Sequence, residues 1–485
     1  MLTLRGAELV GRADVVVHSG DVHEETIARA KREADVVAIA RGTAVEQVAS
    51  LLVEKAREGK SVVRLFSGDP MLFASGDTEV AIVARQGVAI EIVAGVIVPT
   101  AAAAYTGLAL SSPEDASPSV AFAVVSQVEQ LHDWKVLSLA TDTLALLIDA
   151  EHVEEITETL TYYGRAPDTP AAIVRNASLP SQRVACDTLV AIRKHAPSFA
   201  PGQVLLLVGA PLAQREGLRW FDTRPLFGKR VLLTRPRGQG ERTAALLRER
   251  GAEPVVLPTI AIHPPADPAR LDAAVRDLRA GAYTLVAFTS ANGVERTWEA
   301  IVAVGADARA FGAARLAAIG PATARALEGH GLRPDVLAKE FVGEGLAEAI
   351  LAAVPAAGDV RPRALLARAA KARDALPEAL RAGGWDVDVV AAYETRAPGP
   401  EVGERLAEAL EGPGVDAVVF TSSSTVDNLC DLVGDRAAEL LARVRVASIG
   451  PVTSATAAKR GLRVDVTAAE YTLPGLVRAL EESWG

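Results

Sequence analysis

The stretch Phe288-Thr-Ser-Ala-Asn-Gly-Val294 returns later in the chain as Phe420-Thr-Ser-Ser-Ser-Thr-Val426. A second stretch, Ala318-Ile-Gly-Pro-Ala-Thr323, returns at nearly the same offset as Ser448-Ile-Gly-Pro-Val-Thr453. Matches at nearly one offset indicate an internal duplication, which has to be recognised before any single motif is interpreted. We therefore predict that the second half of the chain forms two similar lobes.

A third match supports the duplication, because Leu232-Leu-Thr-Arg235 returns at nearly that offset as Leu365-Leu-Ala-Arg368. Each Phe-Thr-Ser and each Ile-Gly-Pro follows an apolar run typical of a buried strand and precedes a segment of helical periodicity. The repeated motifs are thus predicted at the ends of strands, where open α/β sheets bind their ligands.

The first half of the chain also alternates between strand and helix patterns. Short β-branched runs at Asp14–His18 and Ser61–Phe66 are separated by helical periodicity over Val45–Arg57, which predicts α/β layering. An aromatic and proline-containing segment, Trp220–Gly228, precedes a fresh strand at Lys229–Thr234. We place a domain boundary there, and the length of 485 residues is sufficient for three or four domains.

Composition excludes several classes of protein. Hydrophobic residues make up 49% and charged residues 23%, and the net charge of −10 implies no basic patch for nucleic acid. Only Cys186 and Cys430 are present, so neither a disulfide framework nor a Cys-rich metal site is expected. No signal-like or membrane-spanning run is found. We expect a cytoplasmic protein without a metal, a nucleic-acid partner or a membrane partner.

The repeated motifs have two possible roles. Hydroxyl residues at a helix start either cap the helix or, with the free backbone N–H groups, bind an anion. One helix start contributes about 0.3–1 kcal/mol towards an anion, so four of them facing one cleft would hold a polyanion. Ordinary capping remains the alternative for each motif taken alone.

Two further features are less specific. The run Arg235-Pro-Arg-Gly-Gln-Gly240 follows a strand but lacks the third glycine of a dinucleotide fingerprint, so nucleotide binding is not expected there. Tyr393 is predicted to end a strand where the chain crosses between lobes, and it could serve packing or catalysis.

Taken together, the motifs of the second half resemble those of the uroporphyrinogen-III synthases in order and spacing, from about Lys229 to the C-terminus. Besides the repeated stretches, the matching segments are Thr234-Arg-Pro236, Leu257-Pro-Thr-Ile260, Ala392-Tyr-Glu-Thr395 and Glu470-Tyr-Thr-Leu-Pro-Gly-Leu476. The resemblance implies one lobe from residues 229–263 and 393–485, a second lobe from residues 264–392, and a two-stranded connector. It also implies cyclisation of hydroxymethylbilane with inversion of ring D, without a cofactor.

The resemblance further implies roles for individual residues. Tyr393 would assist departure of the substrate hydroxyl group. The other residues would hold the acetate and propionate groups that every pyrrole ring carries: Arg235, Thr289, Ser290, Gly320, Thr323, Thr421, Ser422, Ser423, Gly450 and Thr453. Since neither Tyr393 nor any of the threonines and serines is a strong acid or base, single substitutions of these residues are expected to reduce activity rather than abolish it.

The first half, over about residues 1–225, resembles the tetrapyrrole methylases, and among them the uroporphyrinogen-III C-methyltransferases. The matching segments are Leu2-Thr-Leu-Arg-Gly-Ala-Glu8, Gly68-Asp-Pro70 with Phe73, Ala103-Ala-Tyr-Thr-Gly107, Pro167-Asp-Thr-Pro170 and Gln182-Arg183. This resemblance implies an S-adenosylmethionine site with contributions from Gly68, Asp69, Pro70, Phe73 and Pro170, and a possible homodimer through this domain.

Departures from the methylase pattern predict that this domain is degenerate. The family's first strand and glycine-rich loop precede the segment at which Met1 stands, so the domain is expected to lack its first strand. Family motifs are also altered at Met71–Gly76, Ala94–Val96 and Ser126-Gln127. The prediction is a synthase fused to an inactive methylase-like domain. The alternatives are a mis-assigned start, a bifunctional synthase and methyltransferase, and a two-lobed binding module without catalysis.

Overall fold

The computed structural model describes residues 1–31, 33–112, 118–125, 133–235, 237–354, 361–396, 398–412 and 414–484. Its contacts divide the chain into a first unit of Met1–Lys229 with Arg248–Glu253 and a second unit of Arg230–Leu247 with Pro254–Gly485. The altered motif at Ser126-Gln127 lies outside the described residues. Within the described part of the chain, every helix is too short or too polar to span a membrane.

The first unit alternates helices and strands as the sequence predicts. Its elements are α1 (Leu4–Arg12), β1 (Val15–Ser19), α2 (Glu24–Ile27), β2 (Asp35–Ile39), α3 (Val45–Arg57), β3 (Val62–Leu65), α4 (Gly76–Arg85), α5 (Val98–Thr106), β4 (Val120–Val125), α6 (Trp134–Ala140), β5 (Thr143–Asp149), α7 (Val153–Tyr162), β6 (Pro170–Arg175), β7 (Arg183–Thr188), β8 (Gln203–Val208) and α8 (Arg215–Leu218). The periodicity over Val45–Arg57 is confirmed as α3.

Two sheets organise the first unit. The smaller is parallel, in the order β2-β1-β3, and the larger is mixed, in the order β4-β5-β8-β6-β7. β-branched and leucine side chains fill the larger sheet's core, and Leu144, Leu146 and Leu206 are fully buried. The segment around Trp220 packs on this unit, because the indole N–H donates to the carbonyl of Ala104 at 2.7 Å.

The second unit continues the alternation. Its elements are β9 (Arg230–Leu233), α9 (Arg237–Glu249), β10 (Glu253–Val256), β11 (Ala261–His263), α10 (Pro268–Arg279), β12 (Leu285–Phe288), α11 (Ala291–Ala303), β13 (Arg315–Ala318), α12 (Pro321–Gly329), β14 (Val336–Leu337), α13 (Gly343–Ala353), β15 (Arg363–Ala369), α14 (Ala375–Ala382), β16 (Asp386–Arg396), α15 (Pro400–Glu411), β17 (Ala417–Phe420), α16 (Ser423–Val433), α17 (Ala437–Leu440), β18 (Arg445–Ser448), α18 (Pro451–Lys459), β19 (Val466–Thr467) and α19 (Leu473–Glu482).

Two sheets define the two lobes of this unit. Lobe 1 contains the five-stranded sheet β10-β9-β17-β18-β19, and lobe 2 contains the six-stranded sheet β11-β16-β15-β12-β13-β14. From β9 to β19 and from β16 to β14 the neighbouring strands are parallel, so the carboxyl ends of the central strands meet at one edge of each sheet. We call this edge the mouth of the lobe.

The duplication is strand-swapped. Along the chain, β9 to α13 form one copy of the repeat and β15 to α19 form the other. In space, β9 pairs with β17 of the second copy, and β15 pairs with β12 of the first copy. Each lobe therefore combines strands from both copies, which makes lobe 1 discontinuous in sequence.

The strand that carries Tyr393 is longer than predicted. β16 continues to Arg396 because its last residues pair with β11 in an antiparallel ladder, for example Ile262 with Thr395. Tyr393 thus lies inside this strand, and the prediction that it ends the strand is wrong. Its backbone is also held on the other side, where its carbonyl accepts from the N–H of Ala370 at 2.9 Å.

Candidate functional site

The mouth of lobe 2 brings a serine and a tyrosine together. Ser290 caps α11, where its Oγ accepts from the N–H of Gly293 at 3.1 Å. The same Oγ lies 3.0 Å from the Oη of Tyr393, a hydrogen bond that either hydroxyl can donate. The ring of Tyr393 packs in the lobe core and is 7% exposed. The cap therefore fixes the tyrosine hydroxyl at the start of α11.

Both Ile-Gly-Pro motifs form helix starts without a side-chain cap. Gly320 and Gly450 are the N-cap residues of α12 and α18, and each is followed by proline at the first helical position. Without a capping side chain, the N–H groups of the first turn remain available to an acceptor. These two helix starts suit an anion better than the start that Ser290 already caps.

An exposed aromatic ring lies over each of these glycines. A Cβ on Gly320 would be 3.2 Å from the ring of Phe341, and a Cβ on Gly450 would be 3.2 Å from the ring of Tyr471. A side chain at either position would therefore have to push the ring aside by a few tenths of an ångström. Phe341 is 61% exposed and Tyr471 is 65% exposed, so both rings present a face at the mouths.

At the mouth of lobe 1, the side chains after β17 are hydroxyls. The Oγ1 of Thr421 is buried and, among the described residues, has no hydrogen-bond partner. The N–H of Ser422 donates to Thr425 at 3.3 Å in the cap of α16, and Ser423 accepts from Thr456 at 2.9 Å. Thr421 is therefore the hydroxyl of this group with unused hydrogen-bonding capacity.

Three of the predicted threonines differ in their access to the mouths. Thr323 and Thr453 lie in the first turns of α12 and α18 and are 3% and 5% exposed. Thr289 is half-buried between β12 and α11. A ligand would thus reach the backbone of the two buried threonines more readily than their side chains.

Arg235 follows β9 at the mouth of lobe 1. It is half-buried, and within the described part of the chain it has neither a hydrogen bond nor an ion pair. Burial without a nearby carboxylate lowers the pKa of its guanidinium below the usual value. A buried and unpaired cation at a ligand-binding edge suits a carboxylate ligand.

The predicted site residues thus form two groups, one at each mouth. Lobe 2 holds Thr289, Ser290, Gly320, Thr323 and Tyr393, and lobe 1 holds Arg235, Thr421, Ser422, Ser423, Gly450 and Thr453. Among described residues, no hydrogen bond joins one group to the other. Any substrate that uses both groups has to bridge them itself.

Sequence reasoning missed Phe341, Tyr471 and Arg368. Phe341 and Tyr471 both follow glutamate, and their spacing along the chain equals that of the two Ile-Gly-Pro motifs, so the repeat offset could have identified them. The third repeat match already aligned Arg368 with Arg235. The sequence did not show which groups surround Arg368.

In the first unit, the predicted cofactor residues only partly come together. Asp69 joins the Gly68–Pro70 loop to Gly95, because its Oδ2 accepts the N–H of Gly95 at 2.7 Å. Phe73 is 53% exposed, and Pro170 lies in β6 of the other sheet. Gly68 and Pro70 line a cavity of about 440 Å³ beside β3, and the other three residues do not.

The lining of this cavity does not suit a zwitterionic cofactor such as S-adenosylmethionine. Its charged side chains are already paired: Arg64 with Glu79 at 3.0 Å, Glu91 with Arg5 at 2.7 Å, and Lys60 with Glu58 at 2.9 Å. Most of the remaining lining is aliphatic. The described residues therefore leave no unpaired charged side chain for the cofactor's amino-acid end.

The two halves of the chain match two different family models. Residues 241–478 match the model of uroporphyrinogen-III synthase HemD, and residues 1–192 match that of the tetrapyrrole (corrin/porphyrin) methylases. The two family resemblances drawn from the sequence are thereby confirmed.

Among curated relatives, the porphyrin biosynthesis protein HemD of Ruminiclostridium josui is 29% identical over 100% of this chain and 96% of its own. The siroheme synthase of Neisseria meningitidis serogroup B is 33% identical over 49% of this chain. The alignment covers 50% of that relative, so the chain spans about half the length of the siroheme synthase.

Two solved structures from Thermus thermophilus are also similar. A mutant uroporphyrinogen III synthase is 27% identical over 53% of this chain and 98% of its own, with a TM-score of 0.38. A uroporphyrin-III C-methyltransferase complexed with S-adenyl homocysteine is 27% identical over 44% of this chain and 92% of its own, with a TM-score of 0.37.

Proposed function

We propose that this chain, whose C-terminal half belongs to the uroporphyrinogen-III synthase family and whose N-terminal half belongs to the tetrapyrrole methylases, converts hydroxymethylbilane to uroporphyrinogen III. The match of residues 241–478 to the synthase model carries the proposal. The paired mouths support it, because a flexible chain of four pyrroles with acid groups on every ring needs anchoring at more than one point.

Substrate carboxylates would bind at the free helix starts and at Arg235. The uncapped first turns of α12 and α18 each supply backbone N–H groups, worth about 0.3–1 kcal/mol towards an anion. A hydrogen bond from the guanidinium of Arg235 would add about 1.5–3 kcal/mol. Locally oriented donors of this kind allow an acidic protein to bind a polyanion.

Tyr393 would act on the leaving hydroxyl group. The C–O bond of the hydroxymethyl group breaks as a proton reaches its oxygen, and water leaves. Loss of the N–H proton of the same pyrrole balances this step and gives an azafulvene. The hydrogen bond of 3.0 Å to Ser290 holds the Tyr393 hydroxyl in a fixed direction. Such a positioned donor assists bond cleavage without being a strong acid.

Ring inversion depends on the conformation in which the bilane is held. The azafulvene carbon first bonds to the substituted position of ring D, giving a spiro intermediate. Cleavage of the other bond at that position and reclosure then deliver the inverted ring with loss of a proton. Because the free bilane closes without inversion, the anchoring groups must select the conformer that forms the spiro centre.

The N-terminal half is proposed not to transfer methyl groups. Among the described residues, the cavity beside β3 has no unpaired charged side chain for S-adenosylmethionine, and Phe73 and Pro170 lie away from it. Calorimetric titration of the full chain with S-adenosylmethionine is expected to give no saturable heat. Saturable binding would instead support a bifunctional synthase and methyltransferase.

Product analysis tests the synthase function. Hydroxymethylbilane is incubated with the full chain, the products are oxidised to porphyrins, and the isomers are separated by chromatography. Isomer III is expected to predominate over the uninverted isomer I that forms without enzyme. Isomer I as the sole product would overturn the proposed function and favour a binding module.

A further inference from the structure

Arg368 occupies in lobe 2 the position that Arg235 occupies in lobe 1. The two arginines end the same repeated motif, and their strands, β15 and β9, pair with the equivalent strands β12 and β17. Each arginine therefore lies at the mouth of its own lobe, beside the strand that leads to a Phe-Thr-Ser motif.

The two arginines differ in whether a carboxylate lies beside the guanidinium. Arg368 is 8% exposed, and its guanidinium donates to the carbonyl of Arg373 at 2.6 Å and to the carboxylate of Asp374 at 2.5 Å. Arg235 has no partner among the described residues. The same position is thus seen once with a carboxylate bound and once without.

The carboxylate on Arg368 lies on the solvent side of the guanidinium. The Asp374 side chain is 63% exposed, whereas the arginine beneath it is buried. A carboxylate approaching from solvent would reach Arg368 from the position that Asp374 now holds. Because Asp374 is exposed, another carboxylate can replace it while Arg368 stays buried and paired.

The loop around this pair is otherwise basic and borders the site. Lys371 and Arg373 are exposed in the same loop after β15. The carbonyl oxygen of Ala367, next to Arg368, would be 2.7 Å from a Cβ on Gly293 in the first turn of α11. Arg368 therefore neighbours the start of α11, where Ser290 contacts the hydroxyl of Tyr393.

We propose that Arg368 is a second carboxylate-binding residue of the synthase, and that Asp374 is an internal carboxylate which a substrate acetate or propionate group displaces. This inference rests on the proposed function. Asp374 then competes with the substrate, so neutralising Asp374 strengthens substrate binding. If Asp374 were only a structural clamp, neutralising it would leave substrate binding unchanged or weaken it.

The decisive variant is Asp374→Asn. Asp374 is the N-cap residue of α14, but its side chain makes no capping hydrogen bond, so asparagine removes the charge without removing a cap. Removal of this competing, solvent-exposed carboxylate is expected to lower the KM for hydroxymethylbilane about two- to fivefold. Asp386→Asn is the matched control, because Asp386 is 61% exposed and pairs with Arg363 at the other end of β15. It is expected to leave KM unchanged.

Arg368→Gln is expected to raise KM about tenfold or more, while isomer III remains the product. If the glutamine variant is unstable, Arg368→Lys takes its place. This change keeps the positive charge, so its KM should lie between that of the unaltered chain and that expected for Arg368→Gln. Binding of uroporphyrin III, followed by fluorescence quenching, measures the same subsite without turnover and should change in the same directions.

Unchanged or raised values of KM and of the uroporphyrin dissociation constant in Asp374→Asn would overturn the inference and leave Asp374 as a structural clamp. This result is distinct from loss of the proposed function, which appears in the unaltered chain as formation of isomer I alone.

Discussion

Replacing Tyr393 by phenylalanine tests the catalytic assignment. The change removes one hydroxyl and its 3.0 Å hydrogen bond to Ser290, while the buried ring keeps its packing. One lost hydrogen bond should lower the free energy of unfolding by about 0.5–1.5 kcal/mol. For a domain of this size that corresponds to a fall in Tm of a few degrees, about 2–4 °C per kcal/mol.

The effect on the reaction should be larger than the effect on stability. A positioned proton donor accelerates a reaction about 10²- to 10⁴-fold. We expect kcat to fall about tenfold to a hundredfold, at or below the low end of that range, because water can replace the missing donor. KM should change little, since Tyr393 is not assigned to a carboxylate. Single-turnover conversion of hydroxymethylbilane, with isomer analysis, measures this directly.

Tyr283→Phe is the matched control. Tyr283 is 4% exposed in the same lobe, and its hydroxyl donates to Asp388 at 2.7 Å, so its loss costs at least as much stability. The kcat of the Tyr283→Phe variant should equal that of the unaltered chain. Equal kcat values for the two phenylalanine variants would refute the role of Tyr393 and leave its hydroxyl as a packing feature.

Three other perturbations have expected outcomes. Gly320→Ala places a Cβ 3.2 Å from the ring of Phe341, so the ring must shift. KM should therefore rise severalfold, as measured by steady-state kinetics, while Tm changes little. Arg235→Gln should raise KM about tenfold without lowering Tm, because the guanidinium has no partner among the described residues to lose; an unchanged KM would contradict its assignment. Glu79→Gln breaks the ion pair with Arg64, in which the glutamate is 3% exposed, and should destabilise the first unit by about 3 kcal/mol in chemical denaturation.

Much of the second unit's secondary structure follows from local sequence. The apolar runs before each Phe-Thr-Ser form β12 and β17, and the hydroxyl or glycine that follows begins the next helix. These features depend on burial and capping, which are encoded within a few residues. The repeat offset then identifies equivalent positions in the two copies.

The pairing of strands could not be predicted from local sequence, and only the family resemblance implied that residues 229–263 and 393–485 share a lobe. β9 pairs with β17, although the two strands are separated by most of the second unit, and the repeat pattern alone is compatible with unswapped lobes. The register of these strand pairs is fixed by contacts between the two copies. The periodicity of a single sequence does not reveal such contacts.

The fine structure of the site was also beyond sequence reasoning. The motif around Ser290 and the motif around Ser422 look alike, but only Ser290 has a tyrosine hydroxyl as partner among the described residues. Arg235 and Arg368 end the same repeated motif, yet one is unpaired in the described part of the chain and the other is bound to Asp374. These differences arise from side chains that the repeat pattern does not specify.

We propose that the C-terminal half inverts ring D while the N-terminal half adds no methyl groups. Chromatography of the product that the unaltered full chain forms from hydroxymethylbilane, with and without S-adenosylmethionine, tests both parts. We expect the inverted isomer in both mixtures and no methylated product. Exclusive formation of the uninverted isomer would contradict this proposal.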